Sequence, residues 1–176
     1  MKMLRLLPVF LLFMFIEVLH AEVRLSMIDA NKIGEESIAF KTAMEKIKSK
    51  AEESDKDAMK MQKEFTKKYE TLGKQKNVLS ADEYNKKSDA LNKEVEKEEK
   101  VLYAQRANLD KAYREANEAL SKKTKAIIEK IAKEKGITIV FDKSTAIYSE
   151  ASIDITKEVV SEVNKQLKSI DINLSK

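Results

Sequence analysis

Few residues of this 176-residue chain are of the types that carry out catalysis or bind metals. Its one histidine is His20, and it has no cysteine. Metal sites built on His or Cys, Cys–His nucleophiles and histidine acid–base relays are therefore largely excluded. Three aspartates, Asp29, Asp142 and Asp154, could suggest a carboxylate pair. Each lies at the end of a predicted strand or the start of a predicted helix, where Asp is common for structural reasons, so we predict no catalytic site.

The sequence contains no phosphate-binding loop. Its three glycines, Gly34, Gly73 and Gly136, are too scattered to form one. The pair Gly73-Lys74 has neither the earlier glycine nor the following Ser or Thr of a nucleotide-binding loop. We therefore predict a protein that is not an enzyme, uses no cofactor and is not driven by nucleotide.

The composition favours long helices in one domain. Charged residues make up 36% of the chain and hydrophobic residues 43%, with only 3 Gly and 1 Pro. So few turn-forming residues argue against an all-β or loop-rich fold. The length suits one ordinary domain and is short for two.

The N-terminal segment has the features of a secretory signal peptide. Lys2 and Arg5 precede an apolar run over residues 6–16, and Ala21 closes a candidate cleavage site. This run is shorter than the ~20 apolar residues that span a membrane. Leu19 is larger than usual three residues before cleavage, so an uncleaved anchor stays an alternative. We predict that residues 1–21 are a signal peptide cleaved near Ala21.

Both ends of the exported chain have strand-like patterns. In residues 23–29 Val23, Leu25 and Met27 lie on one side, and residues 137–142 are β-branched and aromatic. Residues 146–148 form a weaker third candidate. A closing helix, capped by Asp154, carries one apolar stripe. The stripe consists of Ile155, Val159, Val160, Val163 and Leu167.

The middle of the chain has a helical pattern. From Phe40 to Leu72 apolar residues follow a four-three spacing, the seam of a coiled coil, with polar defects at Ser54 and Lys68. Residues 73–79 break the pattern, and Ser80 with Glu83 forms a capping box that begins a second helix. Its seam continues in a stripe with a small phase change. The members of that stripe are Tyr113, Ala116, Leu120, Ile127 and Ile131.

These patterns predict an α+β fold that is mostly helical. We assign residues 22–36 and 136–170 to a small α/β body and residues 37–135 to a long antiparallel helical hairpin, with its tip at about 73–80. Residues 171–176 are expected to be a frayed tail. A body of roughly 45 residues with open strand edges is too small to be stable alone, so we expect an oligomer joined through the strands, with bending arms.

The same segments resemble the Skp/OmpH family of periplasmic chaperones. The resemblance rests on the strand that ends at Asp29, the lysine-rich hairpin, residues 137–142 followed by Ala146-Ile147-Tyr148, and the helix start at residues 154–159. It covers the chain from about Val23 to Val163, and the C-terminal block is its most specific part. This chain also runs several residues past the family's usual end.

The resemblance implies a homotrimer with a β-barrel-like body and three arms around a cavity. Such proteins hold unfolded outer-membrane β-barrel proteins in the periplasm without ATP and prevent their aggregation before membrane insertion. An exported coiled-coil scaffold that ignores unfolded protein is the alternative. A pI of about 9.0 raises nucleic-acid binding as a third function, but the basic excess is small and follows an export signal, so we expect no nucleic-acid partner.

The candidate client-binding residues lie on the arm. Lysines cluster between Lys60 and Lys76, and we hypothesise that those near the tip speed capture, against the alternative of a solvated helix face. Contact of these tips with anionic lipid is left open. Met59 and Tyr69 lie off the seam and are better candidates for contact than Met61 and Phe65. The client-binding candidates are Met59, Lys67, Lys68, Tyr69, Lys74 and Lys76.

The predicted oligomerisation residues lie on the strands and just after them. Most lie along the two strands, where we expect them to pack the oligomer body, with a ligand pocket there as the alternative. Tyr148 either hydrogen-bonds across the body or covers it. The set comprises Val23, Leu25, Met27, Ile137, Ile139, Val140, Phe141 and Tyr148.

Overall fold

A computed structural model describes residues 23–174 of the chain. Four helices and two strands follow one another along it, and two single 3-10 turns, at Lys143–Thr145 and Ala151–Ile153, lie between β2 and α4. In chain order these are β1 (Leu25–Ile28), α1 (Ala30–Glu36), α2 (Ile38–Lys74), α3 (Ala81–Lys135), β2 (Ile139–Asp142) and α4 (Thr156–Gln166). The predicted mostly helical α+β fold with a long hairpin is confirmed.

Helices α1 and α3 begin or end at residues with specific capping roles, whereas α4 begins after Ile155, which forms no side-chain cap, so the predicted cap at Asp154 is wrong. Asp29 caps α1, because its carboxylate accepts a hydrogen bond from the Lys32 amide at 2.9 Å. Ser80 caps α3, and both bonds of its capping box with Glu83 are present. Gly136 ends α3 at φ 66°, a left-handed conformation that favours glycine. The predicted capping box and terminating glycine are confirmed.

The hairpin returns the chain to its starting point, so that β1 and β2 pair in parallel. Leu25 lies opposite Ile139 and Met27 opposite Phe141. The connection between these parallel strands is the whole arm, of which α3 alone, with 55 residues, is about 80 Å long at 1.5 Å per residue.

The main core lies where the arm meets the body. Helix α4 packs against α1, α3 and β1, and its predicted stripe is confirmed, with Val159 and Val163 fully buried. The other buried members of this core come from the four helices and the segments around α4. They are Ile33, Ala39, Ala43, Ile47, Ala112, Ala116, Leu120, Ile127, Ile131, Ile155, Val160 and Ile170.

The prediction of a third strand at residues 146–148 is wrong. This segment has no regular secondary structure, and Ile147 and Tyr148 are exposed. Asp154 instead forms an isolated parallel bridge with Met27, and the Ile155 amide donates to the Met27 carbonyl at 2.9 Å. The backbone next to β1 is thus paired by the segment before α4, not by the predicted strand.

The C-terminal end also differs from the expected frayed tail. Residues 167–174 lie outside helix α4, yet Ile170 is buried, and Ile172 and Leu174 pack against the main core. Apolar side chains at alternate positions thus hold this segment against the body.

The predicted signal peptide, residues 1–21, lies outside the described residues. Within residues 23–174 no helix combines the length and the apolar character needed to cross a membrane.

Candidate functional site

The arm is held together by a small core near its tip and a polar contact in its middle. Phe65, Leu72 and Leu91 are buried at the tip. Halfway along, the Ser54 hydroxyl donates to the Gln105 side-chain oxygen at 3.1 Å, and Ser54 is only 5% exposed. The polar defect predicted at Ser54 is thus satisfied by Gln105 on the facing helix.

Lys68, the other predicted seam defect, is engaged within the arm. Its ammonium group lies 2.6 Å from the Glu94 carboxylate, 3.1 Å from that of Glu64 and 5.0 Å from the centre of the Phe65 ring. Hydrogen bonds to Glu94 and Glu64 raise the pKa of Lys68. Lys68 therefore cross-links the two helices and is the least available of the four predicted tip lysines.

The other three tip lysines point into solvent. Lys67, Lys74 and Lys76 are exposed. Lys67 and Lys87 flank a hollow of about 380 Å³ whose floor includes Leu72 and Leu91. The tip therefore presents cations beside a small apolar surface.

Several apolar side chains of the arm are exposed. Met59 is 62% and Tyr69 42% exposed, and the Tyr69 hydroxyl donates to the Asn92 side-chain oxygen at 2.8 Å. Tyr103, which is 78% exposed, was not among the predicted client-binding residues, although its position off the seam could have indicated that it is exposed. The assignment of Tyr113 to the buried stripe is wrong, because Tyr113 is 50% exposed and Ala112 is buried in its place.

Two neighbouring grooves lie at the base of the arm. One, of about 590 Å³, includes Phe40, Met44 and Tyr113 in its lining, and its charged lining residues are Glu35, Lys41 and Glu45. The second, of about 610 Å³, runs between α3 and the strands, past Val140 and other apolar residues. Ala30, Asn117 and Leu120 line both grooves, which therefore adjoin.

The two-stranded sheet has one apolar face that the chain leaves largely uncovered. Leu25, Ile139 and Phe141 are 45%, 42% and 44% exposed, and Val23 just before β1 is 61% exposed. Met27, on the same face, is only 5% exposed because the segment before α4 lies beside it. Of the other predicted body residues, Ile137 and Val140 pack against the main core of this chain.

Tyr148 lies at the surface of the body. It is 77% exposed, and its hydroxyl donates a short hydrogen bond to the Glu150 carboxylate, which raises the pKa of Tyr148. Its hydrogen bond is thus to a near neighbour in sequence.

The three aspartates serve the fold. Asp142 accepts hydrogen bonds from Ser144, and its second oxygen lies 3.3 Å from the Ala30 amide. Asp154 accepts from the amide and hydroxyl of Thr156. These bonds, to the Ser144 and Thr156 hydroxyls first, lower the pKa values of Asp142 and Asp154. Over the described part of the chain, no cluster of three His, Cys, Asp or Glu side chains could hold a metal ion.

Comparison with known proteins agrees with this architecture. A family model described as outer membrane protein (OmpH-like) matches residues 24–163. The chain belongs to the OmpH-like family. The resemblance to Skp/OmpH proteins, first drawn from the C-terminal block and the hairpin, is thus confirmed.

A solved structure has the same fold. It is an OmpH-like protein from Caulobacter crescentus CB15, described as a candidate outer membrane chaperone. The two chains superpose with a TM-score of 0.76 at 10% sequence identity, over 88% of this chain and 91% of that one. Among curated proteins, none matches this sequence.

Proposed function

We propose that this OmpH-like protein is an ATP-independent holdase chaperone of the periplasm, which binds unfolded outer-membrane proteins and prevents their aggregation before insertion. The observation that carries the proposal is the family match over residues 24–163, most of the exported chain. The arm supports it, because α3 extends far beyond the main core and carries exposed Met and Tyr side chains. Periplasmic location follows from the family and from the signal peptide expected at residues 1–21.

We further propose a homotrimer with a barrel-like body. Exposed Leu25, Ile139 and Phe141 form the apolar face of a sheet of only two strands. Sheets of this size need more strands or a covering surface to be stable, and open edges recruit other chains. Further copies of the chain supply both, and the number three comes from the family resemblance. Three arms on one body then enclose a cavity.

Holding a client in such a cavity requires no nucleotide. Several weak contacts on arms that share one body give a high effective concentration at each further contact, so tight binding at any one point is unnecessary. A chaperone that binds the unfolded client more tightly than it binds the aggregated client keeps the client unfolded by mass action. Release then needs only a competing process that removes the client, such as membrane insertion.

The tip lysines are proposed to act at the encounter. Lys67, Lys74 and Lys76 are exposed and attract acidic segments or anionic lipid, with Lys68 contributing less because it is paired with Glu94. Changing all four to Gln is expected to slow client capture at low salt. Unchanged rates would remove the steering role.

Native mass spectrometry of residues 22–176 tests the main proposal. We expect a species of three chains that gains one copy of a urea-diluted outer-membrane barrel protein. A trimer that ignores this client would favour the alternative, an exported coiled-coil scaffold. A monomer in both samples would contradict the proposed assembly.

A further inference from the structure

The two sides of the arm differ in chemistry. On one side of the helix–helix seam the Tyr69 hydroxyl bonds to Asn92 at 2.8 Å. On the other side Lys67, Glu64 and Lys87 surround the tip hollow. In an antiparallel coiled coil, heptad positions e and b of both helices share one side, and g and c share the other. These contacts place Tyr69 and Asn92 at e, and Glu64 and Lys87 at g.

We name the first side the aromatic face, defined by the e and b positions of α2 and α3. It carries Met59, Tyr69, Tyr103 and Tyr113, which are 62%, 42%, 78% and 50% exposed. Between residues 48–74 and 85–110 its basic residues are only Lys48 and Arg106. Its acidic residues over the same stretch are Glu52, Asp55, Asp89, Glu96, Glu99 and Asp110.

The opposite side, the g and c positions, is the lysine face. It exposes one large apolar residue, Val101, at 44%. Its acidic residues over the same stretch are Glu53, Asp57, Glu64 and Glu94. Its basic residues there are Lys50, Lys60, Lys67, Lys74, Lys87 and Lys97. The exposed aromatic side chains and these lysines are therefore on different sides. The outward f positions belong to neither side and carry Lys56, Lys63, Lys86, Lys93 and Lys100.

The aromatic face leads directly into the grooves at the base of the arm. Tyr113 lines the groove of about 590 Å³ together with apolar residues that include Phe40 and Met44. Its charged lining residues are Glu35, Lys41 and Glu45. The neighbouring groove of about 610 Å³ continues past Leu120 towards Val140. An apolar surface with more acidic than basic residues beside it thus extends from the middle of the arm to the body.

We propose that the aromatic face and the grooves at its base hold extended segments of unfolded chains in which aromatic or aliphatic side chains stand next to Lys or Arg. This inference rests on the proposed holdase function and names the side of the arm and the kind of segment. Tyr offers a large apolar surface with few rotatable bonds, and Met adapts its shape to varied partners. The acidic neighbours supply charge complementarity to the cationic residues of the segment.

The two faces act separately at physiological ionic strength. A helix with its side chains is about 10 Å wide, and the Debye length at 0.15 M salt is about 8 Å. Lysines on one side are therefore largely screened from a segment bound on the other. The lysine face attracts acidic segments at the encounter, whereas the aromatic face retains apolar and cationic ones.

Two labelled peptides and two triple variants test the proposal. The peptides have the same apolar content, with Lys in one where the other has Glu, and binding to the purified protein is followed by fluorescence anisotropy at 0.15 M salt. Met59→Gln with Tyr103→Gln and Tyr113→Gln changes the aromatic face. Glutamine keeps helix propensity high, and these exposed side chains contribute little to the core. The matched control on the lysine face is Lys67→Gln with Lys74→Gln and Lys97→Gln.

We expect the Lys peptide to bind at least about 10-fold tighter than the Glu peptide. The aromatic-face variant should weaken the Lys peptide by about 10-fold or more, and the lysine-face variant by less than about 2-fold. Equal loss in both variants, or tighter binding of the Glu peptide, would overturn the inference and leave the holdase proposal intact. Failure of the unchanged protein to bind either peptide or a urea-diluted barrel protein would overturn the holdase proposal itself.

A photo-crosslinker at position 103 identifies what binds to the aromatic face. Position 97 is its counterpart on the lysine face. Adducts of the Lys peptide at 103 and none at 97 are expected. Adducts at 103 with a second copy of the chain, in place of peptide, would mean that the aromatic face is an interface between protomers and would overturn the proposal.

Discussion

The base and the tip of the arm are stabilised by cores of different size. At the base, α2 and α3 pack together with α1 and α4 around a large core that includes Ile47 and Ala112. At the tip, Phe65, Leu72 and Leu91 form a separate core of only three buried residues. The base is therefore part of the folded body, whereas the tip depends mainly on contacts between two helices.

The segment between the two cores has little apolar burial. From Ile47 to Phe65, about 27 Å of helix at 1.5 Å per residue, Ser54 is the only buried residue of α2. Its partner is Gln105, and the neighbouring seam residues Ala51, Ala58 and Leu102 are only half-buried. Because burial of small and polar side chains contributes little free energy, the tip can loosen without unfolding the base.

The largest effect is expected from a cavity in the base. Ile33, in the short helix α1, is 2% exposed within the main core. Ile33→Ala should lower the free energy of unfolding by about 2–4 kcal/mol, because it removes buried methylene groups and leaves a void. Urea unfolding followed by circular dichroism measures this loss. Ile38→Ala, at a position 65% exposed, is the control and should change it by less than about 0.5 kcal/mol. A loss below 1 kcal/mol for Ile33→Ala would show that α1 is not part of the cooperative base.

A cavity at the tip should have a local effect. Phe65 is 7% exposed and also lies under the Lys68 ammonium group. Phe65→Ala is expected to speed amide hydrogen exchange in residues 61–72 and 84–95 by about 10-fold or more, while residues 112–131 keep their rates. The reason is that the tip core shares no buried residue with the base core. Equal acceleration in both regions would mean that the arm and body unfold as one unit.

The hairpin could be predicted from sequence because its determinants are local. The four-three spacing, the Ser80–Glu83 capping box and the glycine at 136 each act within a few residues, and all three agree with the structure. The break between α1 and α2 was not predicted. There the Ser37 hydroxyl accepts from the Phe40 amide, but Asn164, more than 120 residues away, completes the junction by accepting from the Ile38 amide at 2.9 Å.

Contacts between distant residues also explain the errors at the candidate site. Lys68 was predicted to be one of the client-binding lysines at the tip. In the structure the hairpin places Glu94, 26 residues away, beside it. Tyr113 fitted an apolar stripe, but the register of α3 against α2 buries the neighbouring Ala112. The two faces of the arm depend on the same pairing of helices. Their residues are at regular positions in the sequence, yet which positions share a side is decided only by the antiparallel register.

Replacing the polar contact in the middle of the arm should join its two cores. In the double variant Ser54→Leu with Gln105→Leu, two apolar side chains meet at the seam in place of the hydrogen bond. We expect a gain of about 1–2 kcal/mol in the stability of the arm, since each Leu buries more apolar surface than the residue it replaces. Slower amide exchange in residues 51–58 and 101–108 measures this gain. Lys56→Leu, which adds a leucine at an exposed position of α2, should give no such protection. Equal exchange in the double variant and the original would mean that the middle is already rigid.

The smallest loss of stability is expected on lowering the pH, and it arises at the base of the arm. Asp154 accepts from the Thr156 hydroxyl and amide, and its second oxygen lies 3.4 Å from the Lys143 ammonium group. These contacts lower the pKa of Asp154 in the folded protein. In the unfolded chain an Asp titrates near 3.9, so as the pH falls the unfolded state takes up the proton first. The stability that ionised Asp154 contributes is therefore present above about pH 3.9 and is lost as the pH falls through the lower folded value.

Asp154→Asn tests this linkage, since Asn keeps the acceptor oxygen and loses the titration. At pH 7 the variant should lose less than about 1 kcal/mol, because Asn caps a turn nearly as well as Asp. Between pH 5 and pH 2 its unfolding free energy should fall less steeply than that of the original protein. Asp55→Asn removes the same charge from the exposed middle of the arm and serves as the control. Parallel pH profiles for Asp154→Asn and the original protein would show that the bridge between Met27 and Asp154 does not depend on the carboxylate. The backbone hydrogen bond from the Ile155 amide to the Met27 carbonyl would then be sufficient to hold the bridge.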